Sequence, residues 1–147
     1  MNEVMYLLDN NVLSHLARRQ CQSAFFLEHC RISSEVLHES SGHRNVDLFK
    51  QIEYPTTSHV LELLAKVMTS VPVSDTTLVN LYSNKGAADP LLVACALDAT
   101  ETVDEGLWGP TWIIASHDKA VRAKAAEFRI EAITREDFLE RASSEWD

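Results

Sequence analysis

Five acids stand where chemistry is easy to build. Asp9 interrupts the apolar run of "MYLLDNNVLSHL", Asp89 opens "ADPLLVACAL", and Asp118 follows the apolar stretch "TWIIAS" by two residues. Glu35 and Glu39 lie one helical turn apart in "ISSEVLHESSG". Carboxylates brought into one cleft repel, by about 4 kcal/mol for two at ~4 Å with an effective dielectric of 20. Protonating one acid relieves this, but a hard divalent cation relieves it better when several oxygens converge. Mg²⁺ takes a few carboxylates together with waters and phosphate oxygens. Two such ions can serve both the attacking and the leaving oxygen of a phosphodiester.

The elements must bring these acids together. Val4 to Leu8 reads as a buried strand, and Val12, Leu13, Leu16 and Ala17 fall on one face of a following helix. Cys30 to Ser33 reads as a second strand, with Ser34 as N-cap of a helix through about Ser41 and Gly42 as its stop. Asn45 to Ile52 and Ser58 to Met68 read as helices, the second with Val60, Leu61, Leu64, Val67 and Met68 on its apolar side. Ser74 to Tyr82 reads as another, ended by the "SNKG" turn. Asp89 with Pro90 makes a cap and a first-turn proline, and the helix after them is apolar all round, hence central. Thr100 to Pro110 reads as an irregular acidic loop. "TWIIAS" is a strand, His117 to Phe128 leads into and through a helix, "IEAIT" is a strand, and Arg135 to Ala142 is a last helix. Strands alternating with helices predict an α/β fold, a mainly parallel sheet of four to five strands with helices on both faces. In such sheets ligands bind beyond the carboxyl ends of the strands, where these acids fall. No glycine-rich phosphate loop accompanies them.

The chain of 147 residues fits a single domain over 1–147, with 46% hydrophobic and 24% charged residues. It shows no membrane-spanning run and no signal-peptide pattern, so a cytoplasmic location is expected. Cys21, Cys30 and Cys95 are too few and too scattered for a disulfide framework and read as packed small side chains. The six histidines show no metal-ligand spacing, which argues against zinc. A net charge of −9 argues against nonspecific polyanion binding and leaves bound cations or a basic partner to balance the acids. Arg18, Arg19, Arg44, Lys50 and Lys85 read first as surface solubilisers and second as candidates for local contact with a bound anion.

Each acid also has a plainer role. Asp9, Asp89 and Asp118 all stand where an N-cap or a helix-dipole partner would, and Glu35 and Glu39 where solvated helix residues would.

In order and spacing these segments resemble the PIN-domain nucleases, especially the VapC-type toxins of toxin-antitoxin modules, over nearly the whole chain. "YLLDNNVLSHL" is similar to the family's opening motif, "ISSEVLHESSG" to the second, "GAADPLLVACAL" to the third and "IIASHDKAV" to the fourth; "IEAITREDFL" is similar to the closing strand and helix. Asn10 and Asn11 stand where the family often has Thr or Ser, and Pro90 follows the third acid. The resemblance implies a Mg²⁺- or Mn²⁺-dependent endoribonuclease in which Asp9, Asp89 and Asp118 are metal ligands. It favours Glu39 over Glu35 as the fourth catalytic acid, placing a second ion or acting as a base. Asn10 and Ser116 would order waters around the ligands. A water activated by the metal would cleave RNA to a 5′-phosphate and a 3′-hydroxyl. It further implies a homodimer and a protein antitoxin that brings a basic segment to the acidic cleft. Two other readings compete: a catalytically inactive PIN-like scaffold, and another phosphoryl-transfer enzyme such as a phosphatase. The second lacks a second Asp two residues after Asp9, where Asn11 stands.

Overall fold

The computed structural model of the chain describes residues 3–69, 89–104 and 109–146, with the backbone alone for residues 89 and 102–104. The expected helix Ser74 to Tyr82, the turn at 83–86 with Lys85, and residues 105–108 lie outside the described residues.

Four strands form one all-parallel sheet in the order β2-β1-β3-β4. They are β1 (Val4–Leu8), β2 (Cys30–Arg31), β3 (Thr111–Ala115) and β4 (Glu131–Ile133). β1 and β3 pair along their full length, from Val4 opposite Thr111 to Leu8 opposite Ala115. β2 is short, and beyond it Ile32 takes up the backbone of the 50s segment: its N–H donates to Ile52 O at 2.9 Å and its carbonyl accepts from Tyr54 N–H at 2.7 Å.

Alternation along the central strands divides the core in two. Tyr6, Leu8, Ile113 and Ala115 point to one face, and Leu7 and Ile114 to the other. The first face is covered by α1 (Asn10–Leu13), α2 (Arg18–Cys21), α3 (Ala24–His29), α4 (Ser34–Glu39), α5 (Val46–Phe49) and, from the end of the chain, α9 (Arg135–Ala142). The second is covered by α6 (Ser58–Thr69), α7 (Asp89–Asp104) and α8 (Lys119–Glu127). Helices therefore lie on both faces of the sheet, as expected. α7 is the central one: Leu91 through Ala96 are all buried, because α6 covers one side of it and β3 with α8 the others.

Four local expectations need correction. Leu16 is buried and Ala17 exposed, but neither continues the first helix. That helix stops at Leu13, and the Ser14 hydroxyl donates to the carbonyl of Asn11 at 3.1 Å, with His15 Nδ1 on the same oxygen at 3.0 Å. Such side-chain bonds compete with the helical ladder. Ser33, not Ser34, caps α4: its hydroxyl accepts from Val36 N–H at 3.2 Å, and the helix ends at Glu39. On α6 it is Leu63 that is buried with Val60 and Val67, while Leu61 is 51% exposed. The acidic loop begins later than expected, because α7 runs on through Thr100 to Asp104.

His59 on α6 ties that helix to α7, with Nε2 at 2.7 Å from Glu101 and Nδ1 at 3.6 Å from Glu62. The hydrogen bond to Glu101 and its charge raise the imidazole above its ordinary 6.5. The stabilisation is therefore complete below that ordinary value and is lost as pH rises through the raised one. His59→Gln is expected to flatten the decline of melting temperature across neutral pH; an unchanged pH slope would show that this exposed pair contributes nothing.

Candidate functional site

The strand order itself marks a place. From β1 the chain crosses to β2 on one side and then passes back over β1 to β3 on the other, so the direction of travel reverses between β1 and β3. That reversal opens a crevice beyond the carboxyl ends of those two strands. Asp9 follows β1 and Ser116 follows β3 directly, so both stand at this point.

Asp9 keeps extended backbone, and its N–H donates to Ala115 O at 3.0 Å, carrying the β1–β3 ladder one residue further. Its side chain is 5% exposed. Oδ1 accepts from Asn10 N–H at 2.8 Å, and Oδ2 accepts from the Ser116 hydroxyl at 2.7 Å. Ser116 is fully buried, and its Oγ in turn accepts from Asp118 N–H at 3.1 Å. Asp118 caps α8, with Oδ1 accepting from Ala120 N–H at 2.8 Å. One serine hydroxyl thus joins the two acids through its donor and its acceptor.

Burial raises the Asp9 carboxyl above its ordinary 3.8; the bonds from Ser116 and Asn10 N–H pull it back, and the charge of Asp118 adds to the rise. Glu39, exposed at the end of α4, is also raised, first by partial desolvation and then by the charges of Asp9 and Glu35, with His38 opposing. Asp9, Asp118 and Glu39 therefore share one electrostatic neighbourhood. Asp89 opens α7, which leads into β3. A helix that returns the chain to the start of a parallel strand begins on the side of the strands' carboxyl ends, so the backbone of Asp89 belongs to the same edge. Its side chain lies outside the described residues.

Both asparagines are occupied. Ser40 donates its hydroxyl to Asn10 Oδ1 at 2.8 Å, tying the end of α4, and with it Glu39, to the residue after Asp9. Asn11 Oδ1 accepts from His117 N–H at 3.1 Å, which fixes the segment between β3 and Asp118. Ser40 and Arg122, whose Nη1 donates to Ser116 O at 2.9 Å, go unread in the sequence; Ser40 lies 30 residues from Asn10, and no local spacing signals that contact. Arg18 is committed elsewhere, its guanidinium held by Asp47 at 2.9 and 3.2 Å, whereas Arg19, Arg44 and Lys50 are exposed.

Among the described residues no three His, Cys, Asp or Glu side chains gather closely enough to hold a metal ion. The acids present at the edge nevertheless suit one in kind. They are hard oxygen donors, the carboxylates of Asp9 and Asp118 keep lone pairs beyond the hydrogen bonds that orient them, and the carboxyls of Asp9 and Glu39 are raised first by desolvation and then by neighbouring negative charge. Asp9, Asp118 and Asp89 are the residues that would hold Mg²⁺ or Mn²⁺. The buried thiols offer no competing site: Cys21 is pushed up to about 11 and Cys95 to about 12 by burial. No helix among the described residues is long and apolar enough to cross a membrane.

The sequence matches no protein-family model, and no curated protein matches it.

Proposed function

We propose that the protein is a Mg²⁺- or Mn²⁺-dependent endoribonuclease, acting as the PIN-domain nucleases and VapC-type toxins that its four motifs resemble. The observation that supports this most is Asp9, a buried carboxylate at the strand-order reversal, oriented by Ser116 and electrostatically coupled to Asp118 and Glu39. When bound, the divalent cation supplies Lewis acidity to water and to the phosphate oxygens.

The residues supply the rest. Asp9 and Asp118, with Asp89, hold the cation and fix where the phosphodiester sits. Ser116 and Asn10 keep Asp9 in one orientation, so no reorganisation is needed as charge develops. Glu39, whose carboxyl is raised above its ordinary value by partial desolvation and by the charges of Asp9 and Glu35, accepts the proton of the attacking water. The new bond forms from water oxygen to phosphorus, the bond from phosphorus to the 3′-oxygen breaks as that oxygen takes up a proton from solvent, and the products are a 5′-phosphate and a 3′-hydroxyl. As a toxin it would act in the cytoplasm, as a homodimer, and be restrained by an antitoxin with a basic segment suited to a chain of net charge −9. The test is cleavage of total RNA with Mg²⁺ or Mn²⁺, with the cut ends mapped. Cleavage that persists in excess chelator would refute the assignment.

One observation favours a non-catalytic PIN-like scaffold: Asp9 and Asp118 both cap helices, an N-cap duty that needs no metal. Calorimetric titration with Mn²⁺ separates the readings, since a scaffold binds no ion in an Asp9-dependent way.

Ser116→Ala removes the donor on Asp9 Oδ2 and the acceptor for Asp118 N–H together. The bond it removes lowers the Asp9 carboxyl, so without it that carboxyl moves further up. Activity needs Asp9 ionised and is lost as pH falls. The acid limb of the pH–rate profile is therefore expected to move to higher pH, with kcat down about 10- to 100-fold. Ser116→Thr, which keeps the hydroxyl, is expected to restore the limb.

A further inference from the structure

We propose that Arg122 is the side chain that grips a backbone phosphate of the RNA beside the acidic edge, an inference that rests on the nuclease reading. A chain of net charge −9 cannot attract RNA by its overall field, so at least one cation must stand close to the reacting phosphate.

Arg122 lies in the first turns of α8, four residues after Asp118, and its N–H donates to Asp118 O at 3.2 Å. Helical side chains lean toward the amino terminus of their helix, here back toward the sheet edge. The guanidinium does reach that edge, where Nη1 donates to the carbonyl of Ser116 at 2.9 Å. Ser116 is the residue whose hydroxyl holds Asp9. The charge is therefore anchored one residue's backbone away from the buried acid.

The anchor uses one of five N–H donors. Arg18 is paired with Asp47, Arg135 with Glu136 and Arg141 with Glu131. Arg122 has no ion pair among the described residues, although Asp118 is one turn away on its own helix. It is half-buried, which restricts the side chain without closing it off. A planar fork pinned by one corner, and without an ion pair among the described residues, matches the geometry of two phosphate oxygens. The same bond to Ser116 makes the grip and the orientation of Asp9 one rigid unit.

The experiment measures binding apart from cleavage. Asp9→Asn protein, which leaves RNA intact, is titrated with a fluorescent single-stranded oligoribonucleotide over a series of salt concentrations. Adding Arg122→Gln is expected to weaken binding about tenfold. It is also expected to reduce the slope of log K against log salt by about 0.7, the share of one phosphate contact on a single strand. Adding Arg122→Lys instead is expected to keep the slope, because the charge stays while the fork is lost. An unchanged slope in Arg122→Gln, or no binding of the oligonucleotide by the Asp9→Asn parent, would overturn the proposal. Cleavage by the wild-type chain is scored separately. If cleavage is absent while the slope still falls with Arg122, the nuclease reading fails and the phosphate contact stands. If cleavage is present and the slope does not move, the contact alone fails.

Discussion

Asp9→Asn is expected to reduce RNA cleavage on the order of 10³-fold while making the protein harder to unfold. The two effects share one cause. Asp9 is 5% exposed, and burial together with the charge of Asp118 raises its carboxyl above the ordinary 3.8. A carboxyl that is raised on folding binds protons more readily in the native state. Stability therefore falls as pH climbs from the ordinary value through the raised one, and the full cost is present above the raised value. Asparagine carries no charge to desolvate, and its amide oxygen still accepts from Asn10 N–H. The variant should melt at a higher temperature at neutral pH, even though its side-chain nitrogen replaces the acceptor of the Ser116 hydroxyl. That gain should fade as pH drops through 3.8 and vanish well below it, where Asp9 is neutral in both states.

Cation reverses the order. At a Mn²⁺ concentration about 100 times Kd, the wild-type chain should gain about 2.7 kcal/mol and the Asn variant none. Melting curves at neutral and acid pH, each with and without Mn²⁺, check every part of this. A wild-type protein that is already the more stable of the two without metal would show that Asp9 is held as a structural cap rather than as a ligand.

Asp9 was legible because two signals coincide in it: a five-residue apolar strand ends there, and apolar residues resume at helical spacing just after. Asp118 was legible for a similar reason, three residues past the end of β3. The choice between Glu35 and Glu39 was not local. Both lie on α4, and what marks Glu39 is the charge of Asp9, brought near by the contact between Ser40 and Asn10 across 30 positions of sequence. The short helices α2 and α3, of four and six residues, leave too few turns to show a repeat of 3.6. The strand order was not legible either. Four parallel strands can be arranged in several ways, and it is the placement of β2 and β3 on opposite sides of β1 that puts the reversal between β1 and β3, where the two best-supported acids meet.

Phe138→Ala is expected to produce the opposite pairing of effects. Phe138 lies on α9, fully buried, with Tyr6 edge-on at 5.1 Å, Phe25 at 6.4 Å and Trp146 at 6.3 Å. Removing the ring forfeits its transfer energy and leaves a void that three aromatic neighbours cannot fill by small shifts, a loss of about 3–5 kcal/mol. A domain of this kind has roughly 5–15 kcal/mol in total, so the urea midpoint should fall by about a fifth or more. The acidic edge should hardly notice. Tyr6 and Phe25 line a cavity of about 270 Å³ with Val4 and His29, toward the start of β1, whereas Asp9 follows its end. Between them Leu7 and Leu8 remain fully buried and paired with Ile114 and Ala115, so the strand still delivers its carboxylate to the same place. Cleavage per folded molecule, measured well below the urea transition, should match wild type. If it falls in step with stability instead, the acids are being held by the packing of the whole first face, and the hydrogen bonds around Ser116 do not suffice to position them.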